Sequence, residues 1–229
     1  MSVHSVEKHL MVTAEQYDKA IRTFVPYYDE MLKTGVDLVK ALAKKSPHIL
    51  DLGGGTGALT QAILRDIPDA TVDLIDIDPY MLSQARRRLS CENERVTFME
   101  RSFFDLLPKS DAIVASLSLH HIQSIEQKTK TYASIAESLK PGGLFLSLDT
   151  TVSYDDKVRR LTFENFAAFM GQHGIGVEAA YQYFAEWATE DHYLPLIDEL
   201  TCLRQAGFGH PECFWRRGPV AIFGGLIPS

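Results

Sequence analysis

The chain has no long apolar run and little cysteine, and each shortage excludes a class of protein. No run approaches the about 20 apolar residues that a membrane-spanning helix needs, so we expect no membrane segment. The first residues, MSVHSVEKHLMV, lack the basic and apolar segments of a secretion signal, which favours a cytoplasmic location. The number of cysteines is odd and their spacing is not that of metal ligands, so the sequence predicts neither a disulfide framework nor a metal site. We therefore expect buried, reduced thiols at Cys91, Cys202 and Cys213.

Positive charge is also scarce. The sequence has 23 lysines and arginines against 30 aspartates and glutamates, and its net charge is −7 at pH 7. This balance opposes nonspecific attraction to nucleic acid or to an anionic membrane, and the basic run 86–88 is expected to be a solvated helix face. The expected partner is a small molecule, and a homodimer is one assembly that the sequence allows.

Strand and helix patterns alternate from residue 47 onward. Apolar, β-branched runs occur at residues 49–51, 71–76, 95–99, 112–116 and 144–149, with amphipathic helical patterns between them. Alternation of this kind predicts a doubly wound α/β fold, in which helices cover both faces of a mostly parallel seven-stranded sheet. Ligands then bind at the carboxyl ends of the strands.

The chain length of 229 residues fits a single domain with one core, which we divide into four segments. Residues 1–46 are predicted to be N-terminal helices, with a capping-box pattern at Thr13 and Gln16, and residues 47–150 form a cofactor-binding core. Residues 151–206 form a helical lid or insertion rich in aromatic residues, with a capping signal at Ser153. Residues 207–229 form an antiparallel hairpin.

A glycine-rich turn follows the first predicted strand, where residues 49–59 read ILDLGGGTGAL. Gly53, Gly55 and Gly57 let the backbone approach a ligand, because no Cβ intervenes and a positive φ is free. The same letters satisfy the dinucleotide pattern G-x-G-x-x-G/A, with Ala58 in the last place, so the glycines alone leave a nicotinamide cofactor open.

The carboxylate of Asp51 separates these alternatives. It lies two positions before the first glycine, where it would repel a pyrophosphate and attract the ammonium and sulfonium groups of S-adenosylmethionine. The pattern D-x-G-x-G-x-G resembles the first motif of the class I S-adenosylmethionine-dependent methyltransferases. The resemblance implies a methyltransferase with S-adenosylhomocysteine as its product.

Later segments extend the resemblance and imply further cofactor contacts, although one of them departs from the family pattern. LIDIDPYML resembles the family's VDLSPEML, which implies that Asp76, beside Ile77, takes the ribose hydroxyls, with Asp78 as the second candidate. After the third strand the family often has GD-A, whereas this chain has Arg101, Ser102 and Phe103. The aligned serine would accept a hydrogen bond from adenine, and the phenylalanine would enclose the ring. SLSLHHI resembles the family's fourth motif, beside the transferring methyl, and places Ser116 at the cofactor.

The two histidines of that segment are the candidate catalytic residues. Methyl transfer from a sulfonium needs a general base only when the nucleophile arrives protonated. His120 or His121 would then serve near neutral pH. Adjacent residues at a strand end point in different directions, so we expect at most one of them to face the pocket.

Two other functions remain open. VPYYDEM and ECFWRRGPVAIFGG also resemble the enzymes that modify the wobble uridine of transfer RNA with carboxy-S-adenosylmethionine. A basic surface around Arg159, Arg160, Arg216 and Arg217 would favour that function. A non-catalytic S-adenosylmethionine-binding protein would instead have no channel to the methyl group.

Overall fold

A computed structural model describes residues 13–228, so the N-terminal stretch without a secretion signal, residues 1–12, lies outside the described residues. One sheet contains seven described strands: β1 (His48–Leu52), β2 (Thr71–Asp76), β3 (Val96–Glu100), β4 (Ser110–Ser116), β5 (Leu139–Thr150), β6 (Glu212–Arg217) and β7 (Val220–Leu226). Their order is β3-β2-β1-β4-β5-β7-β6. The pairs among β1 to β5 are parallel, and β7 runs antiparallel to β5 and β6. The predicted doubly wound fold with a C-terminal hairpin is confirmed.

Two of the described helices precede the first strand in the chain, and the others lie between strands. The described α-helices are α1 (Tyr17–Phe24), α2 (Tyr28–Leu42), α3 (Ala58–Asp66), α4 (Pro79–Arg88), α5 (Ile125–Ser138), α6 (Asp156–Gln172), α7 (Val177–Trp187) and α8 (Leu196–Gln205). Short 3₁₀ turns lie at Ser90–Glu92 and Leu119–His121. The last three α-helices fall within the predicted insertion. The segment boundaries themselves stay a prediction.

The sheet separates two apolar layers. Met31 and Ile63 are fully buried in one layer, and Phe145 and Leu203 are fully buried in the other. A Cβ on Gly35 would lie 2.6 Å from Leu148 Cδ2, so the glycine lets α2 approach β5 closely. This packing fixes the strand ends against one another, which is the condition for a precise site at that edge.

Two predicted capping signals differ from the structure. Asp155, rather than Ser153, caps α6 by accepting hydrogen bonds from two backbone N–H groups of its first turn. The Ser153 hydroxyl instead accepts the N–H of Asp155, at 3.1 Å. At α1 only half of a capping box forms, because the Thr13 N–H donates to Gln16 Oε1 while no side chain caps the helix.

Two predictions from composition can be compared with the described chain. Within residues 13–228 no helix is long and apolar enough to cross a membrane, and the cellular location stays a prediction. The three cysteines are free thiols. Cys202 is buried and Cys213 half-buried, but Cys91 is exposed because it lies in the 3₁₀ turn after α4.

Candidate active site

A cavity of about 1120 Å³ lies at the carboxyl ends of the parallel strands. Asp51, Asp76, Ser116 and Thr150, at or next to the ends of β1, β2, β4 and β5, line it. Its position follows from the strand order, since the crossovers leaving β1 and β4 run in opposite directions and leave a crevice between them. Aromatic side chains form much of the remaining wall: Tyr17, Phe24, Tyr28, Phe103, Phe104, Phe166, Trp187 and Tyr193.

Polar contacts hold α1 over the glycine loop. Thr56 Oγ1 donates to Asp18 Oδ1 at 2.7 Å, and the Arg88 guanidinium donates to the Thr56 carbonyl at 2.9 Å and pairs with the Asp18 carboxylate. The expectation that residues 86–88 form only a solvated face is therefore wrong for Arg88. The N-terminal helix is part of the site rather than an appendage.

The glycine loop has the backbone that its sequence requires. Gly53 and Gly55 have φ values of +64° and +57° and line the cavity. A Cβ on Gly53 would lie 2.5 Å from Ser118 Cβ, so no larger residue fits there without movement. Gly57, with a φ of +79°, does not line the cavity; a Cβ there would lie 3.0 Å from Leu89 Cδ1. Gly57 therefore shapes the loop and its packing, and we do not include it among the proposed cofactor contacts.

Asp51 is completely buried and only partly satisfied. Its Oδ2 accepts a hydrogen bond from Thr60 Oγ1 at 2.6 Å, whereas its buried Oδ1 has no partner among the described residues. Burial raises the pKa of this carboxyl to about 6, against the hydrogen bond from Thr60. A cation that reached Oδ1 would satisfy the free oxygen and favour the ionised form.

Asp76 joins the glycine loop to the start of α4. Its Oδ2 accepts the Gly55 N–H and its Oδ1 accepts the Asp78 N–H, both at 2.8 Å. Burial raises its pKa to about 6, while these backbone hydrogen bonds lower it. Each oxygen keeps further acceptor capacity toward the cavity. Asp78, the second candidate for the ribose, caps α4 by accepting the N–H of Tyr80 at 2.9 Å, so its carboxylate already has a structural role.

The adenine-side residues form a compact turn after β3. The N–H of Phe104 donates to Ser102 Oγ at 3.1 Å, and the rings of Phe103 and Phe104 lie 4.8 Å apart. Both predicted residues of this turn line the cavity, as does Ile77, whose side chain is exposed. Apart from Gly57, the predicted cofactor residues thus surround one space.

Both histidines line the cavity, so the prediction that at most one would face it is wrong. They lie in the 3₁₀ turn Leu119–His121, which follows β4 after Leu117 at a φ of +50°. The alternation of a strand does not apply in such a turn. The two rings are 4.2 Å apart, centroid to centroid.

His120 forms a buried dyad with Asp149 at the end of β5. Its Nδ1–H donates to Asp149 Oδ1 at 2.6 Å, and its backbone N–H donates to Oδ2 at 3.2 Å. Burial and the Lys128 ammonium lower the pKa of His120, but the carboxylates of Asp149 and Asp191 outweigh them and raise it above its ordinary value. The pKa of Asp149 is lowered, because the charge of His120 outweighs the effect of burial. With Nδ1 occupied, Nε2 is the nitrogen left to exchange a proton.

Asp191 and Tyr193 complete this part of the site, and the sequence did not indicate them. Asp191 Oδ1 lies 3.1 Å from His121 Nδ1 and 3.6 Å from His120 Nε2, while its Oδ2 accepts the Tyr193 hydroxyl. The N–H of His192 donates to the His120 carbonyl at 2.8 Å and holds the segment in place. No local pattern identifies these residues, since the contact depends on how the insertion folds back over β4.

Comparison with known sequences agrees with this geometry. Residues 50–145 match the family described as Methyltransferase domain. A carboxy-S-adenosyl-L-methionine synthase from Nautilia profundicola is 26% identical over 215 residues, which cover 92% of this chain and 90% of that protein. A malonyl-[acyl-carrier protein] O-methyltransferase from Halalkalibacterium halodurans is 30% identical over 155 residues, covering 62% of this chain and 53% of that protein.

Solved structures share the fold over nearly the whole chain. An O-methyltransferase family protein from Burkholderia thailandensis has a TM-score of 0.70 at 22% identity, covering 94% of this chain and 60% of that one. Human N-acetylserotonin methyltransferase in complex with S-adenosylmethionine has a TM-score of 0.60 at 23% identity, covering 99% of this chain and 63% of that one. The chain therefore spans about three fifths of these structures. Residues 50–145 therefore match a methyltransferase domain, and the described chain has the fold of these methyltransferases, one of which is solved with S-adenosylmethionine.

Proposed function

We propose that the enzyme transfers the methyl group of S-adenosylmethionine to a small molecule whose nucleophile arrives protonated, as a hydroxyl, phenol or ammonium. The observation that carries this proposal is the pairing of Asp149 with His120, which lines the cavity that also holds the glycine loop. A buried histidine with one nitrogen fixed by a carboxylate is suited to receive a proton at the other.

The cavity offers a complementary group for each part of the cofactor. The buried Oδ1 of Asp51 would accept the methionine ammonium, and Asp76 would accept the ribose hydroxyls. Gly53, Gly55 and Ser116 would line the methionine end. At the opposite end, the adenine would lie against Ile77, Ser102 and Phe103. The bound cofactor supplies an already activated methyl group.

The chain itself then has to align the acceptor, exclude water and remove a proton. Aromatic side chains such as Phe24, Phe166 and Trp187 favour a flat, largely apolar acceptor. Asp149 holds the Nδ1–H of His120, so that Nε2 takes the acceptor's proton as the nucleophile attacks. His121, held against Asp191, is the second candidate for this role.

The activity should rise with pH through the deprotonation of His120. Asp149 and Asp191 raise its pKa, so the ring loses its proton only above the ordinary histidine pKa of about 6.5. We expect kcat to increase with a midpoint above that value, and the Asp191→Asn variant to have a lower midpoint because one negative charge is gone. A pH series of kcat for both proteins measures this.

Two results would contradict that assignment. One is a kcat that does not depend on pH between about 5 and 9, because histidines titrate within that interval. The other is a loss of activity on chelation, which is checked because one atom each of His120, His121 and Asp191 lie within 4.8 Å of one another. A metal-bound nucleophile would then replace the free base.

Calorimetry tests the cofactor half of the proposal. S-adenosylhomocysteine should bind with a stoichiometry of one, and NAD should not bind, because Asp51 and Asp76 place negative charge where a pyrophosphate would lie. Binding of NAD in place of S-adenosylhomocysteine would overturn it.

A second candidate function is synthesis of carboxy-S-adenosylmethionine. The Nautilia relative covers nine tenths of both chains, and its name states that activity. The extra carboxylate would need a cation near the methyl group, and the described arginine and lysine side chains lining the cavity are Arg101 and Lys130. Mass spectrometry of the cofactor after turnover separates the two functions, since methyl transfer leaves S-adenosylhomocysteine and the alternative leaves a carboxylated cofactor.

A transfer RNA partner receives little support from the arginines that would favour it. Arg160 lies 3.6 Å from Glu164, and Arg217 pairs with Glu30 and lies over the Tyr27 ring. The charges of these two of the four arginines are thus partly neutralised, and we propose a small-molecule partner. A homodimer stays a prediction.

A further inference from the structure

A second, smaller cavity adjoins the methyl-transfer cavity. It has a volume of about 200 Å³ and lies among α6, α7 and residues 188–193. Trp187, Asp191 and Tyr193 line both cavities, so the smaller one lies directly beside the histidines of the proposed base. Phe163 and Phe184 form its apolar wall.

Two residues that line this cavity carry hydrogen-bond donors without an acceptor among the described residues. The Arg159 guanidinium lies 5.3 Å from the centre of the Phe163 ring, and among residues 13–228 no carboxylate forms an ion pair with it. Trp187 is 7% exposed, and its buried Nε1–H has no partner among the described residues. A buried N–H without an acceptor is costly and points to a ligand atom that satisfies it.

We propose that this cavity binds a carboxylate group of the methyl acceptor, an inference that rests on the proposed function. A guanidinium pairs with two carboxylate oxygens, and the indole N–H can donate to one of them. A single guanidinium balances one negative charge, which suits a carboxylate better than a phosphate dianion. The acceptor is therefore an aromatic acid, with its nucleophile at His120 and its carboxylate at Arg159.

The carboxylate of Asp191 does not prevent this binding. Its Oδ2 accepts the Tyr193 hydroxyl, and its Oδ1 lies against the ring nitrogens of His120 and His121. Asp149 and Asp191 raise the pKa of His120, which favours the positively charged ring beside Asp191. Among the described residues that line the smaller cavity, Arg159 is thus the arginine or lysine that remains to bind an anion.

The 2-, 3- and 4-hydroxybenzoates and their three amides are the probes. Each is titrated into the enzyme saturated with S-adenosylhomocysteine, and binding is followed by ligand-observed NMR. The best-bound acid should bind at least about tenfold more tightly than its amide, as expected for one charge-assisted pair. In Arg159→Gln this preference should disappear while the amide's affinity is unchanged. Trp187→Phe, which keeps a ring but loses the N–H, should reduce the preference partly.

Arg160→Gln is the matched control, because Arg160 is the next residue of α6 and lies against Glu164 outside the cavity. It should retain the full preference. Equal affinity of acids and amides in the unaltered enzyme, or a preference retained in Arg159→Gln, would overturn the inference. Methylation of a neutral phenol without any preference for acids leaves the proposed function intact and rejects only the carboxylate site. Acid binding that depends on Arg159, without methylation of any phenol, would support the carboxylate site and reject the proposed function.

Discussion

Replacing His120 with glutamine should lower kcat by about 10²- to 10⁴-fold, the range lost when a positioned general base is removed. Glutamine keeps a polar side chain of similar reach but cannot take the acceptor's proton. The affinity for S-adenosylhomocysteine should not change, because His120 lies with Asp149 and Asp191 rather than at the glycine loop. Single-turnover methylation of a phenolic acceptor, with calorimetry of S-adenosylhomocysteine, measures both quantities.

Asp149→Asn should reproduce much of this loss. The amide cannot hold the Nδ1–H of His120 as a carboxylate does, so the free nitrogen is no longer defined. Because the two residues act as a unit, the double variant should be little worse than His120→Gln alone. His173→Gln is the control, since that histidine is exposed directly after α6 and its ring contacts the Phe169 carbonyl. Full activity in His120→Gln together with loss in His121→Gln would move the base to His121.

The sheet and the glycine loop could be predicted because each depends on neighbours in the sequence. The apolar alternation that predicts β1, β2, β4 and β5 is local, and the positive φ values of Gly53 and Gly55 follow from the absence of a Cβ. The position of Asp51 beside that loop is set by the strand itself, so its place in the cavity was foreseeable. The lack of a partner for its Oδ1 among the described residues could not be predicted, because it depends on which groups pack around the carboxylate.

The histidine part of the site was only half foreseeable. The sequence indicated His120 and His121, but Asp149 is 29 residues from His120, and its contact depends on the parallel pairing of β4 with β5. Asp191 approaches from the helical insertion, whose fold has no sequence pattern comparable to the glycine loop. Side-chain orientation in a 3₁₀ turn is likewise a tertiary property, which explains why both histidines line the cavity.

Errors in local detail came from competition between neighbouring polar residues. Ser153 and Asp155 are both good helix caps, and the carboxylate two residues later takes the position. Asp76 and Asp78 are both near a ribose site by sequence. Both line the cavity, but Asp78 also caps α4, so Asp76 stays our first candidate for the ribose.

Replacing Asp76 with alanine should weaken S-adenosylhomocysteine binding by about tenfold to hundredfold, as expected when charge-assisted acceptors for a vicinal diol are lost. The variant also leaves the N–H groups of Gly55 and Asp78 without their acceptor, which loosens the glycine loop. Calorimetry measures the affinity, and thermal unfolding confirms that the chain remains folded. Asp73→Ala is the matched control on the same strand, because Asp73 contacts His48 and lies outside the cavity.

The same carboxylate predicts how cofactor affinity depends on pH. Burial raises the pKa of Asp76 to about 6, and that of Asp51 to about 6 as well. Both groups accept hydrogen bonds best when ionised, so S-adenosylhomocysteine should bind more weakly as the pH falls through that value. The Asp76→Ala variant has one titrating group fewer, so its affinity for S-adenosylhomocysteine should change less with pH. An Asp76→Ala variant with undiminished affinity and an unchanged pH dependence would show that the ribose is bound elsewhere, and Asp78 would be the next residue to replace.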